Sequence, residues 1–168
     1  MYKANATLLE LLIAEFSRIP TLLALLTDEI YLEGTEEISS VGVHIRHNLD
    51  FGDALIYGLE NGIVDYAARR RDPFTEGSRE VALKRTEELI GKLRRMRERE
   101  LGSIAVRSEL IEGEHLISTA DREIEFVLSH TIHHYALIVE RLRGKGIDLP
   151  RDFGVSHSTL RFRQATSG

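Results

Sequence analysis

Residues 119–143 read TADREIEFVLSHTIHHYALIVERLR, and this stretch decides the fold class. Its apolar side chains recur every three or four positions, which is the period of an α-helix with one buried face. Ser118, with Asp121 three residues later, forms an acidic variant of the capping box and predicts where the helix starts. Gly144 and Gly146 are typical of a helix end. The sequence therefore predicts a long amphipathic helix over 119–143.

Two histidines lie on one face of this predicted helix. His130 and His134 are four residues apart, so their side chains can point at the same position. Burying imidazoles in a mostly apolar stripe costs free energy unless each finds a partner, and a shared cation would serve both. His133 is three residues from His130 but lies off the better apolar stripe. The spacing predicts a divalent metal at His130 and His134; the alternative is a pair of hydrogen-bonded core histidines.

A second histidine pair, His44 and His47, lies in an earlier apolar segment. One imidazole from this segment would complete a facial triad, which holds a divalent metal and leaves positions open for chemistry. Spacing alone does not choose between His44 and His47. His44 or His133, when outside the ligand set, is a candidate catalytic general base.

Two familiar metal patterns do not fit the chain. A zinc protease motif HExxH needs a glutamate where this chain has Thr131. Di-iron bundles need two Glu-x-x-His motifs, and the chain has only Glu112 to His115. Because the chain has no cysteine, a metal must be held by imidazole and oxygen, and disulfides are excluded.

The rest of the chain is predicted to complete an all-α four-helix bundle with long loops. A single domain over 1–168 is expected, since 168 residues suffice for one core. Residues 103–118 alternate like a small β-hairpin around Gly113. The predicted helices span about 5–31 (kinked or broken near Pro20), 39–59, 78–101 and 119–143, followed by a tail over 144–168.

Composition narrows the class of partner. A formal net charge of −5 argues against a surface for nucleic acid. No apolar run approaches the roughly 20 residues that span a bilayer, and the first residues lack the pattern of a signal peptide. We therefore expect a cytoplasmic protein with a small-molecule substrate, no nucleic-acid partner and no membrane association.

Three arginines occur in residues 65–77, DYAARRRDPFTEG, which we predict to be an extended loop. Arg69 or Arg71 could clamp a carboxylate or phosphate of a substrate over the metal. In the alternative, these arginines pair with Asp65, Asp72 or helix-terminal carbonyls. On sequence alone we favour that structural pairing.

Two segments resemble the DinB/YfiT-like metalloprotein superfamily. Residues 130–150 read HTIHHYALIVERLRGKGIDLP, similar to its His-x-x-x-His helix followed by Leu-x-x-Gly-x-x-x-Pro. Residues 41–50 read VGVHIRHNLD, similar to its earlier histidine-bearing helix. The chain departs from the commonest pattern at Tyr135, where arginine often follows the last histidine.

The resemblance implies a four-helix bundle, a homodimer, and a divalent metal, zinc or nickel, held by His47, His130 and His134, with His44 as the fallback. It also implies a metal-dependent enzyme. Thiol-dependent S-transfer, with a low-molecular-weight thiol, or hydrolysis fits an open three-histidine site. The other reading is a non-catalytic, dimeric helical binding protein, with or without metal.

Overall fold

The computed structural model describes residues 2–166, which are predominantly helical with a small three-stranded sheet. The helices are α1 (Tyr2–Phe16), α2 (Arg18–Ala24), α3 (Asp28–Leu32), α4 (Val41–Asn61), α5 (Pro73–Gly77), α6 (Arg79–Met96), α7 (Ala120–Leu142) and α8 (His157–Thr166). The strands are β1 (Ile63–Val64), β2 (Ser103–Arg107) and β3 (His115–Thr119). Within the described residues, no helix is long and apolar enough to cross a membrane.

The helices α4 and α7, which carry both histidine pairs, pack against each other. α1 packs on α7, and α6 packs on both α1 and α4. Each buried Leu, Ile, Val or Phe side chain contributes about 1.5–3 kcal/mol, so the apolar faces set the spacing of the helices. The fully buried side chains of this core include Leu9, Leu12, Phe16, Ile45, Leu49, Leu55, Leu93, Ile124, Val127 and Ile138.

The start of α7 differs from the predicted capping box. Thr119 is the N-cap, and its side chain accepts a hydrogen bond from the Arg122 backbone N–H at 3.3 Å. Ser118 instead donates its hydroxyl to Glu123 Oε1 at 2.6 Å. Ser118 does not cap the helix, because its hydroxyl is bonded to the Glu123 carboxylate and not to a backbone N–H of the first turn. The prediction that Ser118 and Asp121 cap this helix is wrong.

The predicted helix over 5–31 is divided into α1, α2 and α3. Its first break is at Ser17, so Pro20 lies in the first turn of α2. The first four N–H groups of a helix have no partner inside it, and proline loses nothing there. Thr27 caps α3 by accepting from the Ile30 N–H at 3.3 Å. Proline therefore marks the beginning of a helix and not a kink in its middle.

The β-hairpin predicted over 103–118 is confirmed. β2 and β3 pair antiparallel from Ser103 opposite Thr119 to Arg107 opposite His115. β1 adds a short parallel strand beside β2. This strand was not predicted, because two residues are too few to show the alternating pattern of a strand. The segment 65–77 is not loop throughout, because α5 occupies its end, capped where Asp72 accepts from the Phe74 N–H at 3.0 Å.

Candidate metal centre

Three histidines from two helices meet between α4 and α7. One ring nitrogen from each of His47, His130 and His134 lies within 4.8 Å of the other two. His47 Nε2 is 2.9 Å from His130 Nε2, and the His134 ring centroid is 4.4 Å from that of His47. The three side chains are close enough together to hold a metal ion. They are the three histidines that the family resemblance implies.

Helical geometry and one interhelical hydrogen bond position these side chains. His130 and His134 share a face of α7 because they are four residues apart. Asn48 is fully buried on α4 and donates its side-chain N–H to the Thr131 carbonyl on α7 at 3.4 Å. That bond joins the two helices beside His47, the residue that precedes Asn48, so it helps to fix how α4 presents His47 to α7.

The other two histidines lie beside the cluster. His44 Nδ1 is 2.9 Å from His134 Nδ1. If His134 carries its proton on Nδ1, it donates to His44 and leaves its Nε2 to bind a metal, which is the usual arrangement of a ligating histidine and its outer partner. His133 is exposed and meets the His134 ring edge-on, with centroids 5.5 Å apart. The structure therefore places His44 in contact with His134, and His133 at the exposed edge of the cluster.

Burial keeps the three clustered imidazoles neutral. Desolvation, helped by the charges of neighbouring histidines and Arg69, lowers the pKa of His47 to about 4 and that of His130 to about 4. Desolvation and the adjacent imidazoles lower the pKa of His134 to about 3. A metal binds only the neutral imidazole, so at pH 7 no proton has to be displaced.

An aromatic wall closes one side of the cluster. The Phe51 ring stacks on His130 with centroids 4.1 Å apart and on Tyr66 at 5.0 Å. Phe126 lies 5.8 Å from His130. Tyr66 donates its hydroxyl to the buried Glu123 at 2.9 Å. Sequence reasoning assigned no role to this wall. Extending the helical stripes by four residues from His47 and His130 would have found Phe51 and Phe126.

The two arginines predicted to bind substrate occupy different environments. Arg69 is only 12% exposed, and its guanidinium carbon lies 4.5 Å from the Phe51 ring centroid. Arg71 is exposed and has a left-handed backbone with φ of 49°. Within residues 2–166, neither arginine pairs with Asp65, which instead binds Arg107 at 3.3 Å, or with Asp72.

Buried ion pairs brace α4 one turn from His47. The fully buried carboxylate of Asp50 accepts from Arg46 Nη1 at 3.1 Å and from Arg85 Nη2 at 2.7 Å. Arg46 also donates to Glu76 at 2.7 Å, and Arg85 to Asp53 at 2.9 Å. These contacts tie α4 to α5 and α6. The Arg46–Asp50 pair has the helical i,i+4 spacing and could have been predicted, whereas the partners in the other contacts are 30 to 35 residues apart in the chain.

The fold and the histidine cluster define a predominantly helical protein with a candidate three-histidine metal centre. No family model matches the chain, and no curated protein matches its sequence. Function is therefore inferred from the residues of the cluster and their surroundings.

Proposed function

We propose that this protein is a metal-dependent enzyme of the DinB/YfiT-like class, with His47, His130 and His134 as ligands of a divalent ion. The observation that carries the proposal is the convergence of three imidazole nitrogens, from two helices, within 4.8 Å. Their low pKa values add support, because neutral imidazoles are the form that binds metal. Zinc or nickel suits imidazole ligands.

The arrangement of the long helices is compatible with the four-helix bundle of that class. α1 packs on α7, α7 on α4, α4 on α6 and α6 on α1, so these four helices form a closed ring of neighbours. A homodimer is part of the same proposal and rests on the resemblance of residues 41–50 and 130–150 to the superfamily. A cytoplasmic location is also proposed, and it rests on the composition of the sequence.

The chemistry we propose is thiol-dependent S-transfer or hydrolysis of a small molecule. When bound, a divalent ion with three neutral ligands keeps its charge and lowers the pKa of a coordinating thiol or water. His44 orients His134 through the 2.9 Å contact between their Nδ1 atoms. Phe51 and Phe126 shield one side of the cluster from water. His133, exposed at the rim, is the residue placed to exchange a proton with solvent.

Metal analysis of protein purified without an affinity tag or added metal tests the proposal. We expect about one metal ion per chain in the native protein and loss of nearly all of it in His130→Ala. His115→Ala is the matched control, because His115 is exposed in β3 and outside the cluster. Full metal content in His130→Ala would refute the ligand assignment. Comparing His47→Ala with His44→Ala identifies the ligand on α4.

The contact between His44 and His134 also favours a second candidate, a non-catalytic binding protein. Structural zinc sites are usually closed by four protein ligands; His44 contacts His134 but lies outside the three converging histidines, so it would have to turn toward the ion to become the fourth. Titrating the Co²⁺-substituted protein with azide separates the two functions. An open site takes up azide and its visible spectrum shifts; a closed site leaves the spectrum unchanged.

A further inference from the structure

Arg69 is a largely buried cation whose charge is only weakly neutralised by a neighbouring carboxylate. Both of its hydrogen bonds use Nη1, one to the Tyr66 carbonyl and one to Glu109 Oε1 at 3.4 Å. The Glu109 side chain is 52% exposed, so this ion pair is long and partly screened by water. The Nε atom of Arg69 is buried and has no hydrogen-bond partner within the described residues.

Two other arginines of similar burial are fully paired. Arg46 and Arg85 are 13% and 15% exposed, and each donates to two carboxylates at distances of 2.7–3.1 Å. Burying a charge is costly unless it is paired and hydrogen-bonded, and these two arginines follow that rule. Arg69 departs from it. Its Nε side retains the capacity to donate to an anion.

Arg69 lies between the histidine cluster and a cleft. On one side its guanidinium contacts Phe51, whose ring also stacks on His130 and lies 4.7 Å from His47. On the other side Arg69 lines a cleft of about 870 Å³ that runs along α4 and is also lined by Arg70 and Arg85. A small molecule in this cleft can therefore reach Arg69, which the Phe51 ring separates from His130; none of the three clustered histidines lines the cleft.

We propose that Arg69 anchors a carboxylate of the substrate, so that the substrate is a small organic anion whose reactive end is directed toward the histidine cluster. A guanidinium is planar and always charged, and its fork of N–H groups matches the two oxygens of a carboxylate. This inference rests on the proposed function, because the anion is recognised beside the metal.

Binding of two matched probes to the Co²⁺-loaded protein tests the inference. The probes are 3-mercaptopropionate and 3-mercaptopropionamide, which differ only in the charged group and report through the thiolate-to-cobalt absorption band. We expect the carboxylate to bind about tenfold more tightly than the amide. The preference should fall to near unity in Arg69→Gln. In Arg69→Lys, which keeps the charge but loses the fork, it should fall to about threefold.

Two control variants separate recognition from general charge and from stability. Arg94→Gln removes the same charge at an exposed side chain of α6 that does not line the cleft, so it should keep the preference. Glu109→Gln removes the one carboxylate that competes for Arg69, so it should keep or increase the preference. If Arg69 served only to hold Glu109, the Glu109→Gln and Arg69→Gln variants would behave alike.

The outcomes distinguish this inference from the proposed function. A tenfold preference that persists in Arg69→Gln, in protein that binds Co²⁺ stoichiometrically, overturns the role of Arg69 and leaves the metal centre standing. Native protein that binds no Co²⁺ overturns the proposed function and the inference together. If Arg69→Gln does not fold, Arg69→Lys decides, and an undiminished preference in that variant overturns the inference.

Discussion

The low pKa values of the three clustered histidines predict a metal affinity that resists acid. Metal binding competes with protonation of each imidazole. With the ordinary pKa of about 6.5, roughly 3% of each imidazole is neutral at pH 5, and three such ligands lose about ten-thousandfold in affinity between pH 7 and pH 5. His47 and His130, with pKa values of about 4, and His134, with a pKa of about 3, stay mostly neutral at pH 5. Their affinity should fall by less than about twofold over the same range.

Calorimetric titration of the metal-free protein with Zn²⁺ at pH 7, 6 and 5 measures this dependence, with circular dichroism at each pH to verify that the protein is folded. His115→Ala should follow the same curve, since its side chain lies outside the cluster. A loss of affinity above about a hundredfold between pH 7 and pH 5 would refute the reasoning. It would mean that the imidazoles titrate near their ordinary pKa and are solvated in the folded protein.

Three further predictions concern stability. In metal-free protein the clustered histidines have folded pKa values below their unfolded value of about 6.5, so the unfolded state binds more protons. The free energy of unfolding should therefore fall as the pH drops from about 6.5 to 4. Urea titrations that give the same free energy of unfolding at pH 7 and pH 5 would contradict this. Asp50→Ala removes the carboxylate that pairs with the buried Arg46 and Arg85, so it should lower the free energy of unfolding by about 3–5 kcal/mol in the same assay. A loss below about 1 kcal/mol would show that these ion pairs are solvated. Gly154 has φ of +71°, and an added Cβ would lie 2.6 Å from a backbone nitrogen of α7, so Gly154→Ala should lower the free energy of unfolding by about 2–4 kcal/mol. Gly113 has φ of +79° but open space around it, so Gly113→Ala should lower it by only about 1–2 kcal/mol. Equal losses in the two variants would exclude the clash at Gly154.

Local sequence patterns predicted the helical elements more accurately than their ends. The apolar period over 119–143 predicted α7, which runs from Ala120 to Leu142. The predicted capping residue was wrong because Ser118 and Thr119 are both suitable caps, and the hydrogen bond from Ser118 to Glu123 leaves the cap to Thr119. The helix over 5–31 is broken at Ser17, near Pro20 as predicted; proline suits the first turn of α2, and the exact position of the break depends on how the chain packs.

For the candidate site too, local spacing predicted one part and the packing of the helices decided the rest. The four-residue spacing of His130 and His134 places both on one face of a helix, because the helical period is set by hydrogen bonds between near neighbours. Spacing could not choose between His44 and His47. The packing of α4 against α7 brings His47 into the cluster and sets His44 beside His134.

Local sequence patterns were enough to predict a mainly helical protein with two histidines on one helix face, and the family resemblance pointed to His47 as the third. The tertiary structure was needed to show that His47 joins them, that Phe51 and Tyr66 pack beside the cluster, and that Arg69 is buried with one long ion pair. This difference follows from the range of the forces involved. Backbone periodicity is encoded within a few residues, whereas the distance between α4 and α7 and the pairing of buried charges depend on how the apolar core, assembled from distant segments, packs.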